Sequence, residues 1–282
     1  MYVQGVSTRK VNAIVERLCG SQVSSSLVSR VTVQMDEQLT RWRNRPLGEM
    51  ICLYLDARYE KVRQDGQIRD SAVLIAMGVG PDGHRKVLGV SVSLGEQEVH
   101  WRTFMESLVQ RGLRGVQLII SDDHAGLKAA RQAVFGGIPW QRCQYHLQQN
   151  AQAYVPHKDM QAEVAEALRT VFNAPDRPTA ERYLAETVKK YEKSASRLAN
   201  WLELNVPDGL ACFAFPAPHR RSIRTSNPIE RLNREVKRRT QVVGVFPNEA
   251  SCLRLVSAVL MEISDEWEVG RIYLSMPATG SS

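Results

Sequence analysis

The chain has 282 residues, 43% of them hydrophobic, enough for one large domain or two small ones around a real core. Its net charge of +7 favours a polyanionic partner. No stretch has the length of an apolar membrane span, and no signal-peptide pattern opens the chain. The five cysteines (Cys19, Cys52, Cys143, Cys212, Cys252) are odd in number and never form C-x-x-C, which reads as reduced thiols in a cytosolic protein rather than a disulfide framework.

Residues 1–47 read as helical. Val11, Ile14, Val15 and Leu18 recur at helical spacing, Gly20 breaks the pattern, and SSSLVSRVTVQMDEQLTRW resumes it. Two helices around a short turn, with Arg30, Arg41 and Arg43 in the second, make a partial helix-turn-helix-like segment, although plain helical hairpins are commoner. The opening MYVQGVSTRKV gives no disordered lead-in, so Met1 is expected to lie inside a longer ancestral reading frame.

Residues 48–147 then alternate. MICLYLDARYEKV is an apolar run ending in an acid, SAVLIAMGVGPDG a second strand and RKVLGVSVSLG a third, with Gly80-Pro81-Asp82-Gly83 as the hairpin turn between the latter two. EVHWRTFMESLVQRGL is an amphipathic helix, GVQLIISDDH a buried strand ending in carboxylates, AGLKAARQAVF a helix and IPWQRCQYHL a short strand. A three-strand meander followed by helix, strand, helix, strand predicts an α/β fold with a mixed sheet flanked by helices. Residues 148–218 are mostly helical, broken at Pro175 and Pro178, and read as an all-α insertion with a loop at VPDGLACFAFPAPHRR. Residues 219–270 contain a basic helix and a last amphipathic helix, and 271–282 form a tail.

The charge is concentrated. Between His219 and Arg239 stand eight basic residues (Arg220, Arg221, Arg224, Arg231, Arg234, Lys237, Arg238, Arg239) against two acids, Glu230 and Glu235. A solvated helix face is the plain alternative; a phosphate-binding surface accounts better for the density. Asp56 follows the apolar run ICLYL, and Asp122 and Asp123 follow VQLII. Acids at the carboxyl ends of strands in an open α/β sheet can meet, and in a basic protein such a pair suits a hard cation such as Mg²⁺. Either acid alone more often begins a turn. Glu230 fits a capping box, with Asn227 as N-cap and Pro228 at the first helical position. A carboxylate there also lies where a helix N-terminus and its cations gather anions.

With these acids in place, LYLDARYEKVR, IISDDHAGLKAA, RCQYHLQQN and IRTSNPIERLNREVKRRTQVVGVFPNE resemble the DDE transposases of bacterial insertion sequences of the Mutator type. The resemblance runs from about Ser7 to Trp267, with motifs in the family's order. Asp56 and Asp122 lie 66 residues apart, and Asp122 and Glu230 lie 108 apart, which fits a core with an insertion before its last acid. The resemblance implies a ribonuclease H-like fold, with Asp56, Asp122 and Glu230 as the catalytic, metal-binding triad and Asp123 where the family varies. It implies cleavage and strand transfer of DNA with two Mg²⁺ (or Mn²⁺) ions. The partners implied are double-stranded DNA, both element ends and target, and further copies of the chain on that DNA. The location implied is the bacterial cytoplasm, at the nucleoid.

Cys143 and His146 match the family's C-x-x-H, read here as support near the active site by packing and hydrogen bonding; alone it is half a zinc site. His124 is near the chemistry by position. Trp201 lies in the insertion, where related transposases can stack a tryptophan on a displaced base, and a core aromatic on an amphipathic helix is the commoner alternative. The family carries a substantial N-terminal region ahead of the segment matching Ser7 onward, and this chain is expected to lack it. Two rival readings are a truncated, non-catalytic DNA-binding remnant and a two-carboxylate hydrolase such as a glycosidase; the basic segment opposes the latter.

Overall fold

A computed structural model describes residues 25–275, so the expected helix from Ser7 to the break at Gly20, and residues 276–282 of the tail, lie outside the described residues. Helix α1 (Ser25–Arg43) is followed by strands β1 (Cys52–Gln64), β2 (Gln67–Val79) and β3 (Arg85–Ser93). Then come α2 (Glu98–Gln110), β4 (Leu118–Ser121), α3 (Ala125–Phe135) and β5 (Trp140–Arg142). The sheet order is β3-β2-β1-β4-β5, with β1–β2 and β2–β3 antiparallel and β1–β4 and β4–β5 parallel. The mixed sheet read from the strand pattern is therefore present.

The hairpin turn at Gly80–Gly83 closes through Gly83 N–H donating to Gly80 O at 2.9 Å and Gly80 N–H donating to His84 O at 3.0 Å. A second hairpin joins β1 to β2 through Asp65 and Gly66, both at positive φ (47° and 78°), the two-residue geometry that Asp-Gly favours. That turn lengthens β1 well past Asp56, so Asp56 lies within a 13-residue strand and not at its end. What ends at this level is the pairing with β4, whose last paired residue is Ile120 opposite Tyr54.

Alternation along β1 sends Leu53 and Leu55 to one face and Cys52 and Tyr54 to the other. The first face packs on α2 and α3 through Trp101, Phe104, Met105, Leu108, Leu127 and Ala130. The second is covered chiefly by the C-terminal helices, and its apolar cluster runs on into a helical layer beside the sheet. This layer comprises α4 (Gln144–Gln152), α5 (Gln161–Phe172), α6 (Arg177–Tyr191) and α7 (Ser196–Asn205). The break at Pro175 and Pro178 falls between α5 and α6, where Asp176 caps α6 by accepting from Thr179 N–H at 2.8 Å. Two departures from the sequence pattern follow from local chain geometry. β5 is three residues long, and Cys143 already caps α4, so QYHL is helical. The expected loop 206–221 is wound into 3₁₀ turns at Val206–Gly209 and Ala211–Ala214 and a short helix α8 (Ala217–Ile223). The basic segment is thus two helices, α8 and α9 (Asn227–Thr240), ahead of α10 (Glu249–Glu268).

Helix α1 is fixed to this body. Asp36 receives both Nε and Nη2 of Arg254 on α10, at 2.5 and 2.8 Å. Arg43 donates to Ser257 Oγ at 3.1 Å, and Arg45 stacks 4.4 Å above the buried Trp42 ring.

Leu55 is wholly buried beneath α2. Leu55→Ala is expected to cost about 2–5 kcal/mol of stability, read from the midpoint shift in urea unfolding at unchanged slope.

Candidate active site

The β1–β4 register pairs Cys52 with Leu118, Leu53 with Ile119 and Tyr54 with Ile120. Carried two residues further, the same offset sets Asp56 beside Asp122. The two acids thus come from adjacent parallel strands at the point where β4 gives way to the turn before α3. Asp122 and Asp123, neighbours in the chain, then part. Asp123 pairs with the buried Arg142 at 3.0 Å and with Lys128 at 3.8 Å, a structural ion pair that leaves Asp122 as the acid of the site.

Glu230 arrives on α9. The even-numbered side chains of β1 form the surface on which this helix lies. Asn233 Nδ2 donates to Asp56 Oδ2 at 2.6 Å, Arg58 Nη1 donates to Asn233 O at 2.9 Å, and Thr240 Oγ1 donates to Glu60 Oε1 at 2.6 Å. Arg58 and Glu60 are themselves paired at 2.8 Å with little exposure. Beyond the helix, Phe246 bridges to the far end of β1: its N–H donates to Lys61 O and Arg63 N–H donates to its carbonyl, both at 2.8 Å. Pro228, Ile229, Leu232, Val236 and Thr240 form the buried stripe of α9. That stripe turns Glu230 and Asn233, three residues apart, toward the two aspartates.

The capping box expected at the start of α9 is not formed. The N-cap is Ser226 and not Asn227, and its N–H donates to Cys143 Sγ at 3.4 Å instead of to a carboxylate. Glu230 is held through the other end of Ser226: Oγ donates to Glu230 Oε1 at 2.6 Å and lies 3.5 Å from Asp122 Oδ1. One hydroxyl therefore links the second acid to the third.

Cys143 and His146 stand one turn apart on α4, whose start is pinned by Cys143 N–H to Ser121 O and Gln144 N–H to Arg224 O, both at 3.0 Å. His146 Nδ1 lies 2.5 Å from Asp122 Oδ1, a close ionic contact without the alignment of a good hydrogen bond. The Asp122 carboxylate, seconded by the Cys143 sulfur, pushes the imidazole up to about 11 against the opposing effect of burial. Asp56 moves upward as well. Burial raises it to about 7, repulsion from Asp122 and Glu230 adds to the rise, and hydrogen bonds from Asn233 and from Ala57 N–H oppose it.

Among the described residues none of the three carboxylates is paired with a lysine or arginine, although α9 is rich in both. Arg231, Arg234 and Lys237 are exposed and without acidic partners, and Arg234 and Lys237 continue the stripe that begins at Glu230. Arg221 is exposed on α8. The other expected cations are occupied. Arg220 donates to Phe215 O and Pro175 O, Arg224 to Asn173 Oδ1, and Arg238 and Arg239 both pair with Glu235. His124 lies 3.7 Å from Glu96 at the start of α3, apart from these contacts. Trp201 is buried in α7, its ring stacked on Tyr154 at 5.3 Å, with the Arg142 guanidinium 5.8 Å from its centroid. Ser226 and Asn233 are the residues that sequence reasoning missed. Both fall on Glu230's own helical stripe, four residues before it and three after.

The chain matches the family model described as Transposase, Mutator family, over residues 1–270, and it belongs to that family. It is 54% identical over 277 residues to the transposase for insertion sequence element IS406 of Burkholderia multivorans, covering 98% of this chain and 71% of that one. It is 40% identical over 275 residues to the transposase for IS256 in transposon Tn4001 of Staphylococcus aureus, covering 95% and 69%. A chain of the simian T-cell lymphotropic virus intasome in complex with PP2A regulatory subunit B56 gamma aligns at 10% identity, over 56% of this chain and 49% of that one. Its TM-score of 0.26 is too low to bear on fold or function.

Because Asp56 is raised from 3.8 to about 7 on folding, the folded state binds the extra proton between those values. Metal-free stability should therefore fall as pH rises from about 4 to 7. Asp56→Asn removes that dependence and is expected to unfold at higher urea than the wild type at pH 8, the two converging toward pH 4.

Proposed function

We propose that the chain is a DDE-type transposase, in which Asp56, Asp122 and Glu230 hold divalent metal for cleavage at an element end and joining of that end to target DNA. The observation that carries this reading is the meeting of three carboxylates, Asp56 and Asp122 from adjacent strands and Glu230 from α9, with none paired to a lysine or arginine among the described residues and with exposed basic residues running on along α9. Oxygen ligands of this kind suit Mg²⁺ or Mn²⁺, and Asp56 is raised chiefly by burial, with repulsion from Asp122 and Glu230 adding to it. The sheet order, antiparallel through β1–β3 and parallel through β4 and β5, supports a ribonuclease H-like core carrying a helical insertion before its last acid.

A pair of Mg²⁺ or Mn²⁺ ions held there would supply activation of the attacking oxygen and stabilisation of the leaving oxygen in an in-line phosphoryl transfer. The side chains set the geometry. Asn233 fixes Asp56 through Oδ2, leaving Oδ1 with only the Ala57 N–H. Ser226 holds Glu230 within reach of Asp122, and His146 restrains Asp122 at the same oxygen, Oδ1. Arg231, Arg234 and Lys237 extend from the acids as a phosphate track, with Arg221 beside it. DNA is the substrate on both sides of the reaction, and pairing of two element ends calls for more than one copy of the chain. The proposed location is the nucleoid; no described helix is long and apolar enough to cross a membrane.

Labelled element-end duplex incubated with Mg²⁺ is expected to be nicked by the wild type. Asp56→Ala, Asp122→Ala and Glu230→Ala should each reduce nicking to the metal-free background while leaving DNA binding intact. Salt-dependent binding without nicking in the wild type would instead define a DNA-binding chain without chemistry. Arg231→Ala, Arg234→Ala and Lys237→Ala should each lower the slope of log affinity against log salt by about 0.9, measured by fluorescence anisotropy.

A further inference from the structure

We propose that Asp122, Cys143 and His146 form a second cation site, for a thiophilic divalent ion of the zinc class, which competes with the hard-metal site for Asp122. The binding claim stands on its own geometry; the competition rests on the reading of Asp122 as a catalytic metal ligand. One oxygen, one sulfur and one imidazole nitrogen from these residues lie within 4.8 Å of one another, and neither Asp56 nor Glu230 belongs to that group. A mixed sulfur, nitrogen and oxygen donor set is what Zn²⁺ selects and what Mg²⁺ avoids.

Three further observations support the site. Cys143 and His146 are three residues apart at the head of α4, so both ligands face the same way, and the backbone there is pinned to Ser121 and Arg224. The Cys143 sulfur, though buried, is polarised by the Ser226 N–H. The mouth is open: the side chains of His146 and Asp122 retain 27% and 40% of their exposure, so an ion can enter and a water can complete a tetrahedron. With metal–ligand bonds of about 2.0 Å, a tetrahedral N···O edge is about 3.3 Å. The 2.5 Å contact between His146 Nδ1 and Asp122 Oδ1 must open by about 0.8 Å, a modest side-chain adjustment. Binding releases the thiol proton and the Nδ1 proton to solvent.

The functional consequence follows from the shared oxygen. An ion at Cys143 and His146 draws Asp122 toward α4 and takes up one of its two oxygens, weakening its hold on an ion shared with Asp56 and Glu230. The C-x-x-H pair is then a brake that a trace of thiophilic metal applies to a magnesium enzyme.

Titration of the purified full chain with Co²⁺ tests this by absorbance, without reference to activity. The expected result is a near-ultraviolet thiolate-to-cobalt charge-transfer band that Zn²⁺ abolishes and excess Mg²⁺ does not. The band should vanish in Cys143→Ser, weaken at least about tenfold in affinity in His146→Gln, and persist in Asp56→Asn and Glu230→Gln. Should Cys143→Ser fail to fold by far-ultraviolet circular dichroism, His146→Gln decides, since it keeps the thiol. No band in the wild type, a band undiminished in Cys143→Ser or His146→Gln, or its loss in Glu230→Gln overturns the proposal. Zn²⁺ should inhibit Mg²⁺-dependent nicking less in His146→Gln than in wild type, and equal inhibition overturns the competition. If no nicking occurs while the band behaves as stated, the transposase chemistry fails and the cation site stands.

Discussion

The seating of α9 on the even-numbered face of β1 is the contact on which everything else in the site depends. Asp56, Arg58 and Glu60 each engage the helix, and each contact uses a different kind of partner: a side-chain amide, a backbone carbonyl and a hydroxyl. Arg58 and Glu60 also satisfy each other where neither is well hydrated. Removing one member strands the other, at about 3–5 kcal/mol for a buried pair, so the arrangement resists drift as well as dissociation. Helix position and acid position are consequently one variable.

The same contact sorts the charges. A basic helix beside three acids would ordinarily collapse into ion pairs. Here the buried stripe of α9 rotates its free cations outward, Glu235 occupies Arg238 and Arg239, and Arg142 and Lys128 are diverted to Asp123. The acids are left with neutral donors, Ser226 and Asn233, plus one imidazole. Ser226 and Asn233 orient Glu230 and Asp56 without cancelling their charge, whereas His146, pushed up to about 11 beside Asp122, gives that carboxylate a positive neighbour.

Much of this was legible from residues alone. The mixed sheet followed from meander-then-alternation patterning, and the Gly80–Gly83 turn from its composition. The expectation that Asp56, Asp122 and Glu230 act together rests on the family resemblance. What escaped were features set by tertiary contact. The Asp65-Gly66 turn lies in a polar stretch with no apolar alternation around it, so the sequence pattern alone ends the apolar run at the first acid of β1. Asn227 and Pro228 make a good local start for α9, which favours Asn227 as its cap from the sequence alone. In the folded chain the Ser226 N–H is spent on Cys143, a residue 83 positions away. Trp201 carried no local signal separating a core ring from an exposed one, and burial against Tyr154 settles its surroundings.

The long spacing before Glu230 has a consequence for assembly in time. Asp56 on β1 and Asp122 just past β4 are placed by a sheet whose strands are complete by Arg142, whereas Glu230 lies beyond the helical layer and is placed by the docking of α9 across β1. Contacts of such sequence separation form late, because the intervening chain must be ordered before they gain anything. A nascent or partly folded chain therefore holds two of its three acids and none of the aligned basic stripe. Folding itself delays the completed site until the whole body is in place.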